Sequence, residues 1–206
     1  SATLRNVDHD AADTDDLVLT AGGGSTPNSL WLIPGRASWP ATLDVSSGSK
    51  LACGGDSCGI ILTSGDVNGD GEPDLVATHS GGDELVVYLG TGSGLPSTPT
   101  FSIATPGLST PFGGIGTIGV VGDVNADGKD DIVVSRVANG ESLMSLYFGQ
   151  TLVGNRTTSD VDYPFDFSVA DAEAAAACGN VDGDQQGIDD LCFLTIHSAG
   201  TISMRH

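Results

Sequence analysis

The stretch GDVNGDGEPDLVAT at residues 65–78 returns as GDVNADGKDDIVVS at residues 122–135. Looser copies are NVDHDAADTDDLVLT near the start of the chain and GNVDGDQQGIDDLCFL near its end, and the four motifs follow one another in steps of 60, 57 and 57 residues. Self-similarity at a fixed period is the sequence signature of a repeat protein. We therefore expect a single region, 1–206, built from four repeats at approximately 1–50, 51–106, 107–170 and 171–206, the last of them incomplete.

The repeated loop carries oxygen-bearing side chains at alternate positions. Calcium takes six to eight oxygen ligands, and its loops supply them from alternate residues, with the backbone carbonyl used at position 7 and a glycine turn at position 6. The sequence therefore predicts a calcium site in each central loop. Counted as positions 1, 3, 5, 7 and 9, the candidate ligands are Asp66, Asn68, Asp70, Glu72, Asp74 and Asp123, Asn125, Asp127, Lys129, Asp131.

The two outer copies run two residues longer before their closing aspartate. A shift of register restores the length, and it places Ala12 or Gln186 at position 5. Ala12 offers no side-chain ligand and Gln186 a neutral one, so we expect weaker or differently shaped sites and a total of two to four Ca²⁺ ions. The candidate positions are Asp8, Asp10, Ala12, Thr14, Asp16 in the first loop and Asp182, Asp184, Gln186, Ile188, Asp190 in the last.

Three other kinds of structure share features of this loop. Solvated Asp/Asn/Gly turns are common between strands, but they do not explain carboxylates recurring at alternate positions, which repel each other unless a cation lies between them. An EF-hand needs an acidic residue at position 12 and flanking helices, whereas position 12 here is Ala77 or Val134. A dockerin-type duplication is helical and has much closer spacing.

The segments around the loops have the pattern of β-strands. Short apolar runs lead into each loop (GIILTSGD, GTIGVVGD, EAAAACGN), others leave it (DLVLT, DLVAT, DIVVS, DLCFLTI), and a third set follows (LWLIPG, LVVYLG, LMSLYFG). A weaker fourth strand is predicted at ATLDV, TFSIAT and FDFSVA. We interpret the alanine-rich residues 172–177 as strand because of their place in the repeat. Four antiparallel strands in nearly 60 residues form the unit of a β-propeller blade.

The repeats resemble the FG-GAP repeats of integrin α-subunit propellers and their bacterial relatives. The similarity is carried by the DxNxDGxxDL-type loop and by Phe112-Gly113 before the third loop, while VATHSGG, VVSRVAN and LVLTAGG replace the GAP element. The predicted fold is all-β, a propeller of about four four-stranded blades that is partial or completed by oligomerisation; a closed four-bladed ring is the alternative. Open blade faces and unpaired edges favour self-association or pairing with the remainder of a longer propeller.

Composition limits the compartment and the partners. The formal net charge of −20 argues against nucleic acid or an anionic membrane surface as partner. The chain shows no bilayer-spanning apolar run and no signal-peptide pattern at Ser1. Four cysteines in two plausible pairs, Cys53 with Cys58 and Cys178 with Cys192, favour an oxidising compartment, with free thiols as the alternative. We expect an extracellular, cell-surface or periplasmic protein without membrane insertion.

The resemblance implies a calcium-stabilised binding or adhesion module. In that family the calcium is structural, and a protein or glycan ligand would bind the face opposite the calcium loops. That face would comprise residues 21–28, 79–84, 137–141, 46–56 and 106–114, with Trp31, Trp39 and Tyr88 as contact candidates and core packing as the alternative for each. A spacer without a ligand remains open. A glycan-active enzyme using His79 with Asp83 and Glu84 is the weakest hypothesis, since no nucleophile elbow, HExxH or phosphate loop is present, and we expect no enzyme.

Overall fold

A computed structural model describes residues 2–8, 14–23, 26–53, 58–79, 84–104, 115–120, 122–138, 141–149, 163–166, 172–179, 181, 183, 190–196 and 202–205. These residues form antiparallel sheets, joined by irregular segments and one turn of 3-10 helix at Val45–Ser47. The all-β prediction is therefore confirmed. A closed ring of sheets is not seen within these ranges.

Sheet 1 contains β1 (Ala2–Arg5), β2 (Asp16–Gly23), β3 (Thr26–Ile33) and β4 (Ser49–Leu51) in that spatial order. Sheet 2 contains β5 (Cys58–Gly65), β6 (Asp74–His79), β7 (Glu84–Tyr88) and β8 (Phe101–Ala104). Sheet 3 contains β9 (Ile115–Val120), β10 (Ile132–Ala138), β11 (Glu141–Tyr147) and β12 (Tyr163–Asp166), and sheet 4 contains β13 (Ala172–Gly179), β14 (Asp190–Ile196) and β15 (Ile202–Arg205). Each sheet pairs consecutive strands.

Sheet 2 is buried on both faces. Leu75 and Ala77 of β6 belong to a core cluster shared with sheet 1, whereas Val76 between them belongs to a second cluster shared with sheet 3. Because successive side chains of a strand point to opposite faces, a strand packed on both sides needs a continuous apolar run. That requirement explains the apolar runs LVA in β6 and LVVY in β7. The two shared clusters show that sheets 1, 2 and 3 pack in sequence order.

The first strands of consecutive sheets are neighbours, with contacts from β1 to β5, from β5 to β9 and from β9 to β13. In every sheet an acidic loop joins this first strand to the second. Each loop therefore lies at one end of its own sheet, and the second and third strands connect at the other end.

The fourth strands required two corrections. The prediction of a strand at ATLDV is wrong, because Asp44 Oδ1 accepts the Ser46 N–H at 2.9 Å and the Ser46 hydroxyl at 2.7 Å and so begins the 3-10 turn. The strand that pairs with β3 is β4, whose only buried residue is Leu51. At FDFSVA, β12 begins two residues earlier than predicted. By contrast, the strand predicted at TFSIAT is confirmed as β8 and the alanine-rich strand as β13.

Candidate metal centre

Loop 2, residues 66–74, is folded around the side chain of its first residue. Asp66 Oδ1 accepts hydrogen bonds from the N–H groups of Gly69 and Asp70 at 2.7 and 3.1 Å, and Asp66 Oδ2 accepts the Gly71 N–H at 2.8 Å. An aspartate that bonds the backbone a few residues ahead of it holds the chain in a turn. One carboxylate therefore fixes the curvature of the whole loop.

The next two candidate ligands continue this arrangement. Asn68 Oδ1 accepts the Asp70 N–H at 2.8 Å, Asp70 Oδ1 accepts the Glu72 N–H at 2.9 Å, and the Asn68 amide donates to Asp70 Oδ2 at 2.9 Å. The structure thus brings together the side chains at positions 1, 3 and 5. Glu72, at position 7, donates its N–H to the same network. Its backbone carbonyl is the ligand predicted from the sequence.

Loop 3, residues 123–131, repeats this network. Asp123 accepts the N–H groups of Asp127 and Gly128 at 3.0 and 2.7 Å, and Asn125 Oδ1 accepts the Asp127 N–H at 2.9 Å. Asp127 Oδ1 accepts the Lys129 N–H at 3.0 Å. Two loops 57 residues apart therefore have the same residues at positions 1, 3, 5, 6 and 9 and the same hydrogen bonds among positions 1, 3 and 5.

The turn at position 6 requires glycine in both loops. Gly71 has φ +88° and Gly128 has φ +83°, and a Cβ at either would meet nothing within 4 Å, so the constraint is torsional. At position 4 the loops differ: Gly69 has φ +76°, whereas the equivalent Ala126 is the one positive-φ residue other than glycine within the described ranges, at φ +61°. A left-handed alanine costs roughly 1–2 kcal/mol.

The closing aspartates hold the loops to the sheets. Asp74 is fully buried; its Oδ2 accepts the Val67 N–H at 2.8 Å and its Oδ1 accepts the Gly90 N–H at 2.7 Å. Asp131 does the same with Val124 and Gly149 at 2.9 and 2.7 Å. Each closing aspartate thus joins the start of the loop to the turn after the third strand. Its role as a metal ligand at position 9 stays a prediction, since a carboxylate has further lone pairs.

These closing carboxylates have raised pKa values. Burial raises the pKa of Asp74 to about 7 and that of Asp131 to about 6. In each case the two backbone N–H donors act in the opposite direction, and the aspartates at positions 1 and 5 of the same loop add a smaller upward contribution. These two core-facing carboxylates therefore take up a proton at a higher pH than an exposed aspartate does.

The glycine partner of each closing aspartate is a site residue that was not predicted from the sequence. A Cβ at Gly90 would lie 2.3 Å from the Pro73 carbonyl oxygen, and one at Gly149 would lie 2.4 Å from the Asp130 carbonyl oxygen. In sheet 1, Gly35 donates its N–H to Asp16 Oδ1 at 2.7 Å. The signal was present in the sequence, because LIPG, VYLG and LYFG all end in glycine after the third strand.

The outer loops are described only in part. Asp16 Oδ2 accepts the N–H groups of Val7 and Asp8, both at 2.8 Å, and Asp190 Oδ2 accepts the Val181 N–H at 2.8 Å. Thr14 is half-buried, and burial raises the pKa of Asp16. The other candidate positions of these loops lie outside the described residues and stay predictions: Asp10, Ala12, Asp182, Asp184, Gln186 and Ile188.

The central loops fit a hard cation by their donor chemistry. In the ranges that the structure describes, no three His, Cys, Asp or Glu side chains are grouped as a metal centre. Position 3 of both central loops is asparagine, and the position-9 carboxylate is turned toward the core. The donors that do not face the core are accordingly two carboxylates, one carboxamide oxygen and a backbone carbonyl, which are the oxygen ligands that calcium accepts.

Residues 66–134, which span both central loops and the segment between them, match the family model of the FG-GAP-like repeat. The chain carries an FG-GAP-like repeat. The match begins at Asp66 of loop 2 and ends just past loop 3, within β10. The resemblance to FG-GAP repeats is thus confirmed for this segment, although Phe112-Gly113 lies outside the described residues.

The residues considered for ligand contact or catalysis differ in their surroundings. Tyr88 is fully buried and donates its hydroxyl to the Ala52 carbonyl at 2.6 Å, so the contact interpretation is wrong for it. Trp39 is 46% exposed, with the Arg36 guanidinium 5.1 Å from its ring centroid, and Trp31 is half-buried in β3. His79 lies opposite Glu84 in the β6–β7 pair, at the sheet end away from loop 2, and Asp83 lies outside the described residues.

The disulfide prediction is tested only in part. Cys53 is buried and disulfide-bonded, and the described residues include no free cysteine. The side chains of Cys58, Cys178 and Cys192 are not among those described, so the two predicted pairings stay predictions. No helix within the described ranges has the length and apolar composition needed to cross a bilayer.

Proposed function

We propose that loops 2 and 3 bind calcium and that the chain is a calcium-stabilised, non-catalytic module of an extracellular, cell-surface or periplasmic protein. The observation that carries the proposal is the duplicated loop network, in which the same three side chains at positions 1, 3 and 5 are held together by the same hydrogen bonds. The FG-GAP-like match supports it, because it spans both loops. Bound calcium would supply positive charge between carboxylates that otherwise repel each other.

The calcium would act on stability. A ligand that binds only the folded state stabilises it by RT ln(1 + [L]/Kd), about 2.7 kcal/mol per site at a hundredfold excess. Two such sites compare with a total stability of roughly 5–15 kcal/mol. We expect the melting temperature in millimolar calcium to exceed that in chelator by many degrees, with a β-rich circular dichroism spectrum in calcium. Equal melting temperatures in the two buffers would remove the proposal.

We also propose that the sheets are blades of a partial β-propeller that associates with a second copy or with further blades. Support comes from the contacts between the first strands of consecutive sheets and from the burial of sheet 2 on both faces. An equivalent face of sheet 1 or sheet 4 would also need covering. Sedimentation in calcium and in chelator tests this proposal, since a compact monomer in calcium would favour a self-sufficient ring or fragment.

A protein or glycan partner would bind at the sheet end opposite the loops, where β2–β3, β6–β7 and β10–β11 connect. Trp39 follows the loop end of β3 and lies away from that region, so it is not part of the proposed surface. Pull-down with the calcium-loaded chain separates a binding module from a spacer, which would capture no specific partner. Turnover of a glycan panel that is lost in His79→Ala would instead support the enzyme hypothesis.

A further inference from the structure

Loops 2 and 3 are bonded to each other through backbone groups of Asp66. The Asp66 N–H donates to Asp130 Oδ2 at 2.8 Å, and the Asp130 N–H donates to the Asp66 carbonyl oxygen at 2.7 Å. Both backbone groups of the first residue of loop 2 are therefore held by one residue of loop 3. A bond to an ionised acceptor is stronger than one between neutral groups.

Further close contacts surround these two hydrogen bonds. A Cβ at Gly69 would lie 2.8 Å from Lys129 Cγ and 3.0 Å from the Gly128 carbonyl oxygen, so loop 3 lies against the outer turn of loop 2. A Cβ at Gly149 would lie 2.7 Å from the Val67 carbonyl oxygen. A change in the position of one loop must therefore be transmitted to the other.

We propose that loops 2 and 3 bind calcium as a coupled pair, each occupied loop raising the affinity of the other, with the Asp66–Asp130 hydrogen bonds as the link. The inference rests on the proposed function and adds its regulation. Asp66 is position 1 of loop 2 and organises that loop through its carboxylate. Asp130 follows Lys129, whose N–H is bonded to the position-5 ligand Asp127. Fixing Asp127 thus fixes Asp130, which fixes Asp66.

Loops 1 and 2 do not share this link. The residue equivalent to Asp130 in loop 2 is Pro73, which has neither a backbone N–H nor a carboxylate. Loop 2 therefore cannot hold loop 1 in the same way. Their described contacts run instead through the turn after β7, where the Leu95 N–H donates to the Val7 carbonyl oxygen at 3.1 Å.

Electrostatics opposes this coupling. A cation in one loop lowers the negative potential at the other and weakens the second binding step. The Debye length is about 8 Å at 0.15 M ionic strength, so this effect is reduced in physiological salt, whereas direct hydrogen bonds are not screened in the same way. For positive coupling, the hydrogen-bonded link must outweigh the repulsion that remains, and we expect it to do so in 0.15 M salt.

The test is calorimetric titration with CaCl₂ of the full chain in 0.15 M salt. Asp127→Ala disables loop 3 and leaves loop 2 to be measured alone, and Asp70→Ala does the reverse. The second binding step of the unsubstituted chain should be about fivefold or more tighter than the affinities of the isolated loops predict, at the lower limit of typical coupling between sites.

A pair of substitutions separates the hydrogen bond from the charge. Asp130→Asn removes the charge but keeps an oxygen that can accept the Asp66 N–H, and it should preserve the coupling. Asp130→Ala removes the acceptor and should make the two loops independent. Asp15→Ala is the matched control, because Asp15 also precedes a closing aspartate and is exposed; it should leave the coupling unchanged.

The outcomes separate the two proposals. Absence of calcium binding to the unsubstituted chain overturns both the proposed function and the coupling. Binding at both loops with the affinities of the isolated loops, or with a weaker second step, overturns the coupling alone. If Asp130→Ala does not fold, the comparison of the unsubstituted chain with the two single-loop variants still decides. Slower amide exchange of Asp66 upon calcium binding in Asp70→Ala would support transmission from loop 3.

Discussion

Changing the closing aspartate to asparagine should lower the stability of the fold, whereas changing an exposed loop aspartate should weaken calcium binding. Asp74 is fully buried, and its two oxygens accept the N–H groups of Val67 and Gly90 at 2.8 and 2.7 Å. Asparagine has one oxygen and one amino group. In Asp74→Asn, one of the two buried N–H groups must therefore face another donor.

The magnitude follows from that lost acceptor. A buried donor left without a partner costs about 1–3 kcal/mol. Part of this is recovered because burial already disfavours the charged carboxylate, as its raised pKa of about 7 indicates. A net loss of about 2 kcal/mol is expected, which lowers the melting temperature of a chain of this size by roughly 4–8 °C.

The assay is the free energy of unfolding at pH 8, measured at free calcium concentrations from 0.1 to 10 mM. Above Kd, each bound site adds about 1.4 kcal/mol per decade of calcium. Asp74→Asn should lower the free energy of unfolding by the same amount at every calcium concentration, without changing its slope against the logarithm of that concentration. Asp70→Asn is the matched control; it changes an exposed loop carboxylate, and it should reduce the slope by about one site's contribution.

A reduced slope in Asp74→Asn, without a constant offset, would contradict a purely structural role for Asp74. That result would identify Asp74 as a direct metal ligand at position 9. If the free energy of unfolding of the unsubstituted chain does not change with calcium concentration, the proposal of calcium binding is wrong. The role of Asp74 would then be judged from the constant difference in stability between Asp74→Asn and the unsubstituted chain.

Three further predictions concern strain, packing and pH. Ala126→Gly should raise the free energy of unfolding in urea by about 0.5–1 kcal/mol, because it relieves a left-handed alanine; a lower stability would show that the conformation is not strained. Gly90→Ala should cost more in the same assay than Gly71→Ala, since only the first places a Cβ against a backbone carbonyl, and equal losses would contradict the steric argument. In chelator, the free energy of unfolding should fall as pH rises from 4 through 7. The raised pKa values of Asp74 and Asp131 make the folded state bind more protons than the unfolded state in that range. The melting temperature of Asp74→Asn should change less with pH than that of the unsubstituted chain. An equal change in both chains would show that Asp74 does not contribute to the pH dependence.

The sequence predicted the strands best where the repeat imposed them. Residues 172–177 are mostly alanine, which favours helix on its own, yet their position before an acidic loop predicted the strand that became β13. The prediction of the fourth strand in the first repeat was wrong because the real strand, β4, has few apolar residues to indicate it. β4 is three residues long and buries only Leu51, while the more apolar ATLDV is held in a turn by Asp44.

The side-chain network of the loops was only half predictable. Alternating oxygen donors indicated which residues converge, and Asp66, Asn68 and Asp70 do share one network. Spacing alone could not show that Asp74 faces the core, because that depends on the N–H of Gly90, sixteen residues further on. The contact between Asp66 and Asp130 could not be inferred either, since it depends on how sheets 2 and 3 pack.

The division between core-facing and exposed aspartates bears on how many ions the chain holds. All four repeats keep a closing aspartate bonded to a valine N–H, yet that separation is seven residues in the central loops and nine for Val7–Asp16 and Val181–Asp190. The closing aspartate satisfies buried backbone donors whether or not an ion is present, so its recurrence follows from the fold. The number of ions depends instead on the donors at positions 1, 3 and 5. These are complete as Asp, Asn, Asp only in the two central loops, and calorimetry should accordingly find two tighter sites, whatever the outer loops add.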